Sequence, residues 1–271
     1  MSAAPNYANL AKIALREHLS GLLADAKGYV ATPQMNLIPG VTMEQFEEDL
    51  RQGDGNELRM KFCALHSSSA LAVNAFGPFK EHPEDLVLLE KRGFTGLAFE
   101  KKLETGLKRK PNLDVGLERA GETVGIESKF LEHLRRKKGS FKDKYTPDAL
   151  PWVEECWWEA WHKAQSAGKT YLDVAQLAKH YFGLSRALRG RPDRSATLLY
   201  LFWEPANASA IQACVEHRGE IEALKARVAK SEVLFCSMSY PQLWAMWEGE
   251  HLPAWVRSHA RDLKQRYTLT L

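Results

Sequence analysis

Residues 111–130 read PNLDVGLERAGETVGIESKF, and three side chains within them, Asp114, Glu127 and Lys129, could do chemistry together. A turn centred on Ala120-Gly121 predicts a hairpin in which opposed residues have numbers summing to 241. Val115 then faces Ile126 and Leu117 faces Val124, which makes one apolar side. On the other side Asp114 faces Glu127 and Gly116 faces Gly125. Lys129 stands two residues beyond Glu127 and shares its side. A three-residue loop would instead put the two acids on opposite faces.

Directly opposed carboxylates destabilise a strand pair, and in a protected site one of them is driven toward protonation. A hard divalent cation removes that conflict. Mg²⁺ prefers oxygen ligands, keeps several waters and often uses only one or two carboxylates. The paired glycines leave room for a bulky substrate to approach the backbone. Lys129 can orient an attacking water or stabilise negative charge on a phosphoryl oxygen. The chemistry implied is metal-assisted hydrolysis of a phosphodiester. An E-x-K triplet alone is equally what a wet sheet face carries. The matched aspartate, the glycine pair and the basic segments nearby set this one apart.

The elements that must position these residues follow from periodicity. Residues 7–26 read as a helix with Leu10, Ile13, Ala14, Leu19, Leu22 and Leu23 on its apolar face. Thr42 and Gln45 form a capping-box pattern opening a helix to about Gln52. The stretch 56–79 reads as largely helical, stopped by Gly77-Pro78. From about residue 94 the period changes to two, and 94–104, 112–119 and 122–132 read as three consecutive strands. The Trp-rich 151–165 and then 170–188 are helical, and the unbroken apolar run in 195–205 is a buried strand. A helix over 207–230, a strand over 232–240 and two closing helices complete the chain. This order implies one α/β domain over 1–271, with a mixed central sheet, an antiparallel three-strand meander and flanking helices.

The chain has 271 residues, 45% hydrophobic and 26% charged, which suits a folded globular protein. No apolar run approaches the ~18 residues of a membrane span, and MSAAPNYANL lacks the regions of a signal peptide. The expectation is a cytoplasmic protein without a membrane partner. Cys63, Cys156, Cys214 and Cys236 form no CxxC pair, so free thiols are expected rather than a zinc site or disulfides. The net charge is only +3, but LKRKP and LRRKKGSFKDK flank the hairpin and point to a polyanionic partner.

With Asp114 in PNLD and Glu127-Ser128-Lys129 in GIESKF, the sequence resembles the PD-(D/E)xK nuclease superfamily and its restriction-endonuclease-like fold, αβββαβ. The resemblance covers about 57–205, with 1–56 an N-terminal helical extension and 206–271 a C-terminal elaboration. Leu113 stands where the motif has proline, a residue that members often lack. The resemblance implies a Mg²⁺-dependent nuclease, with Mn²⁺ as an alternative ion. Its substrate would be nucleic acid, DNA first, and its action that of a restriction- or defence-type endonuclease. Asp114, Glu127 and the main-chain carbonyl of Ser128 would hold the metal. Lys129 would position the attacking water, leaving a 5′-phosphate. Glu57 is the candidate for a further acid on the first core helix, with Glu100 its competitor. Gln176 resembles a glutamine that RecB-like branches place near the metal.

His180 lies one turn beyond Gln176 and reads as an ordinary histidine rather than a ligand. His133 reads as a surface residue, and Asn74 as a satisfied helix asparagine. Trp152, Trp157, Trp158 and Trp161 read first as core packing and second as base-stacking residues. Lys108, Arg109, Lys110, Arg135, Arg136, Lys137 and Lys138 would contact phosphates. Many restriction-type enzymes cut as dimers, so a homodimer is a further expectation. The rival readings are a non-catalytic nucleic-acid-binding module that keeps the fold, and an interaction protein using its Trp-rich helices.

Overall fold

The computed structural model describes residues 5–52, 61–108, 110–140 and 144–271. Its centre is a five-stranded mixed sheet in the order β1-β2-β3-β6-β7. Strands β1 (Phe94–Lys102), β2 (Asn112–Arg119) and β3 (Glu122–Lys129) follow one another antiparallel. The sheet does not stop at a meander: β6 (Ser195–Phe202) joins β3 in parallel, and β7 (Val233–Ser239) joins β6 in parallel. Parallel neighbours need crossover helices, and the chain supplies them as α5 (Val174–Leu188) and α6 (Gln212–Arg227). A two-residue ribbon, β4 (Lys137–Lys138) with β5 (Lys169–Thr170), lies apart from the sheet.

Alternation along the strands sorts two apolar layers. On one face Val115, Leu117, Val124, Ile126, Leu199 and Leu201 pack with α1 (Tyr7–His18), α3 (Ser68–Phe76), α7 (Tyr240–Trp247) and α8 (Ala254–Tyr267). On the other, Leu198, Tyr200, Phe202, Val233 and Phe235 pack with α4 (Glu155–Ala167), α5 and the second half of α6. Trp157, Trp158 and Trp161 are buried in this second layer, so packing is their role. A short α2 (Glu47–Arg51) precedes β1, after a turn in which the Gln45 side chain accepts from the Thr42 N–H at 3.1 Å.

Several element bounds differ from the periodicity. The first helix ends at His18, because Ala24 turns back to bridge Val30. Its buried stripe is Ala8, Ala11 and Leu15, while Leu10 and Ile13 are almost half exposed: small residues let the helix approach closely and leave the larger ones outside. In the stretch 56–79, Ser67 caps a separate α3 by accepting from the Ala70 N–H at 3.2 Å. Strand β3 stops at Lys129, and Glu132–Leu134 form a 3₁₀ turn. Among the described residues no helix is long and apolar enough to cross a membrane. All four cysteines are free.

Candidate active site

The β2–β3 turn places Gly121 at φ +69°, a conformation that glycine adopts without steric cost. Val115 then pairs with Ile126, Gly116 with Gly125 and Leu117 with Val124, the register that a turn at 120–121 requires. Ladder pairing ends at Val115–Ile126. One step further, the N–H of Ser128 donates to Asp114 Oδ2 at 2.6 Å, so the aspartate takes the place of a backbone acceptor. On β1, beside Asp114, Glu100 has φ +48°, a left-handed conformation rare for a side chain of its size.

The glycine pair does not open onto a substrate space. A Cβ on Gly116 would meet the Lys101 stem at 2.2 Å, and one on Gly125 would meet Leu113 at 2.6 Å and Leu184 at 3.2 Å. The glycines therefore admit neighbouring side chains of the fold, which corrects the expectation that they admit a ligand.

Glu127 is 1% exposed and is approached from two directions. Lys129 forms an ion pair with its Oε1. His180, on the second turn of α5, brings Nε2 to 2.6 Å from its Oε2. Both carboxylate oxygens are buried, and neither contact has the angles of a hydrogen bond. Burial pushes the Glu127 carboxyl up, but Lys129 and His180 together outweigh it and hold the group down at about 2. Asp114 goes the other way. Burial first, then the charge of Glu127, pushes it well above the ordinary carboxylate range against the pull of Lys129 and Ser128. One acid is ionised and its neighbour is driven toward protonation. Burial opposes the charge on Lys129, and Glu127, Asp114 and Glu132 overcome it and raise the ammonium above its usual value.

Gln176 reaches the same place. Asp173 caps α5 by accepting from the Gln176 N–H at 3.0 Å, and Gln176 Oε1 accepts from Lys129 Nζ at 3.0 Å. The site opens into a cavity of about 360 Å³ whose walls include Asp114, Lys129, Gln176, Glu100, Glu132 and the α3 start at Ser67–Ser69. Glu132 curls back to accept from the Phe130 N–H at 2.8 Å, a local arrangement that its position after the E-x-K triplet did not announce.

Other expected residues fall elsewhere. Glu57 and Arg109 lie outside the described residues. Asn74 is buried away from the acids, donating to Asn36 O at 2.9 Å and Tyr267 Oη at 2.7 Å while accepting from Ile38 N–H at 3.1 Å. His133 is not on the surface: it is 1% exposed, with its ring 4.5 Å from that of His217. Burial and then the nearby Lys129 push it down to about 3, so it packs as a neutral ring. His180, expected to be ordinary, is bound into the site instead. Both histidines depend on tertiary packing: α6 brings His217 over His133, and α5 lies against β3 so that its own His180 meets Glu127.

Of the described basic residues, Lys108, Lys110, Arg135, Arg136 and Lys138 are exposed and Lys137 is half-buried. Arg136 pairs with Glu216 and lies over the Tyr171 ring, Lys137 is 3.3 Å from Asp173, and Lys110 pairs with Glu104. Among the described residues, no group of three or more His, Cys, Asp and Glu side chains is set to hold a metal ion.

The family described as REase-ARP, restriction endonuclease associating with ARP, has a model that matches residues 13–268. No curated protein and no solved structure matches the chain.

Proposed function

The chain belongs to the family of restriction endonucleases associating with ARP, and from that premise we propose that it is a divalent-metal-dependent nuclease of PD-(D/E)xK type, cutting DNA phosphodiester bonds. The observation that carries the reading is the buried pair Asp114–Glu127 with Lys129 at the same strand end. The αβββαβ core of that superfamily would comprise a helix before β1, the strands β1–β3, α5 and β6.

The donor set fits a hard cation. Two buried carboxylates share the Lys129 ammonium, with His180 against Glu127 only; the Glu127 oxygens lack well-formed hydrogen bonds, and burial with the Glu127 charge drives Asp114 toward a proton. Two carboxylates suffice for Mg²⁺ when waters complete the octahedron. Asp114, Glu127 and the Ser128 carbonyl would hold Mg²⁺ or Mn²⁺, and Glu57 is proposed as a further acid. Such a cation, when bound, supplies positive charge opposite the phosphoryl oxygens.

The chain's own residues do the rest. Gln176 and Glu127 fix the Lys129 ammonium, which positions the attacking water in line and offsets charge as it grows on the phosphoryl group. The water oxygen bonds to phosphorus, the bond to the 3′ oxygen breaks, and that oxygen leaves protonated, giving a 5′-phosphate. Lys108, Arg109, Lys110, Arg135, Arg136, Lys137 and Lys138 would hold backbone phosphates, an affinity that falls with salt. Association with ARP, named in the family description, is part of the same proposal for this chain.

The test is incubation of plasmid and single-stranded DNA with Mg²⁺, with Mn²⁺ and with EDTA, using wild type and Lys129→Ala. Cutting that needs both the ion and Lys129 supports the enzyme. Salt-sensitive binding without cleavage under any divalent ion would replace it with a binding module.

A further inference from the structure

We propose that Tyr240, in the C-terminal segment, is a positioning residue of the acid site: its hydroxyl anchors Ser128, and Ser128 in turn holds the Asp114 carboxylate. The proposal deepens the nuclease reading and rests on it for the cation concerned.

Ser128 is the joint of the site. It sits between Glu127 and Lys129, so its side chain points to the sheet face opposite theirs. Three of its groups face three demands. Its N–H donates to Asp114 Oδ2 at 2.6 Å, just where the β2–β3 ladder has ended. Its carbonyl belongs to the proposed ligand set. Its Oγ lies 2.7 Å from Tyr240 Oη across the apolar layer, 112 residues away in sequence. On the far edge β6 pairs with this part of β3, Ser128 against Leu201, but on the β2 side the strand end is held through the aspartate. Movement of Ser128 there moves the acid.

Tyr240 is built to stay still. It opens α7, where Ser239 and Gln242 form a reciprocal capping box and Pro241 presets the first turn. The residue is fully buried, and its ring lies 5.7 Å from that of Trp244. A phenylalanine would fill the same apolar space. The hydroxyl contributes a bond, and a buried hydroxyl without one is costly. Ser128 is 1% exposed and is equally dependent on its partner. The helix pair after β7 is therefore coupled to the acid pair through one buried hydrogen bond.

Tyr240→Phe keeps the packing and removes the bond. Calorimetric titration with Mn²⁺ is expected to show affinity reduced about three- to tenfold, the range for loss of one neutral hydrogen bond. In metal-free protein labelled with ¹⁵N-serine, the Ser128 amide proton, assigned by its absence in Ser128→Ala, should move upfield as its bond to Asp114 lengthens. Ser128→Ala should weaken Mn²⁺ binding similarly, and the double variant no further. Val256→Ala, in α8, should lower the unfolding midpoint without changing Mn²⁺ affinity. Mn²⁺ affinity within twofold of wild type in Tyr240→Phe, with the Ser128 resonance unmoved, would overturn the proposal and leave the nuclease reading standing. Wild-type protein that takes up no Mn²⁺ would instead sink the nuclease reading, and the Ser128 resonance alone would then decide: an upfield shift keeps the anchoring of Asp114, an unmoved signal ends it.

Discussion

Strand β3 buries a glutamate at each end, and the two ends are neutralised differently. Glu122 is 6% exposed and receives Lys91, Arg119 at 3.0 Å and the Thr197 hydroxyl at 3.0 Å. Burial pushes its carboxyl up, but these donors prevail and hold it below the usual range. Glu127 is also held ionised, by Lys129 and His180, yet Asp114 beside it is driven toward a proton, first by burial and then by the charge of Glu127. At the first end the fold supplies enough positive charge. At the second the two acids are not held alike, and under the proposed function a cation would offset the difference. A buried glutamate is thus a structural ion pair or a candidate metal ligand according to the balance of charge around it.

That contrast can be broken most sharply by activity. Lys129→Ala or Glu127→Gln should lower DNA cleavage by ~10²–10³-fold or more, the scale seen when one charge-stabilising group is removed. Glu122→Gln should leave the rate within a few-fold in the same gel assay. Equal losses at both glutamates would erase the distinction.

The next effect is binding. Mg²⁺ at about a hundred times its dissociation constant should stabilise the wild type by about 2.7 kcal/mol. Thermal unfolding should show no such gain in Asp114→Asn, and a full gain in Glu122→Gln.

Stability in EDTA should reverse the order. Glu122→Gln leaves Lys91 and Arg119 without their carboxylate and should cost about 2 kcal/mol in urea unfolding, less than for a fully buried pair because both cations are partly solvated. The pH sign follows from the direction of its shift. A lowered folded pKa gives stability present above the unfolded value near 4.5 and lost as pH falls through the folded one, so Glu122→Gln should flatten the acid limb of the stability profile. A profile unchanged by that substitution would show that Glu122 is not the compensated acid described here.

The smallest effect sharpens the comparison. Asp114→Asn keeps an oxygen for the Ser128 N–H while removing a group in conflict with Glu127. Metal-free stability should change by less than about 1 kcal/mol, with the balance toward a gain. A clear loss in EDTA would mean that the wild-type carboxyl is already satisfied.

The hairpin was legible in the sequence because its determinants are local. A glycine turn and strict alternation in LDVGLER and ETVGIES lead to one register, and that register groups the acids. Gln176 was also legible, by resemblance. His180 was not: nothing in QLAKH says that this helix lies against β3 so that one turn beyond Gln176 reaches Glu127. His133 stands just before a basic run, yet the first half of α6 closes over it. The glycine pair was visible, but its use was not, because Lys101 arrives from β1 and Leu184 from α5, while Leu113 leans from β2 over Gly125.

By itself, then, the amino-acid sequence determined which hairpin residues share a side, because two-residue periodicity and turn geometry act over a few ångströms of contiguous chain. Tertiary structure alone decided how each acid is neutralised, since Lys91 and the Thr197 hydroxyl reach Glu122, and His180 reaches Glu127, from elements far along the chain. Charge balance in a buried site is a sum over neighbours in space, and sequence order does not state who those neighbours are.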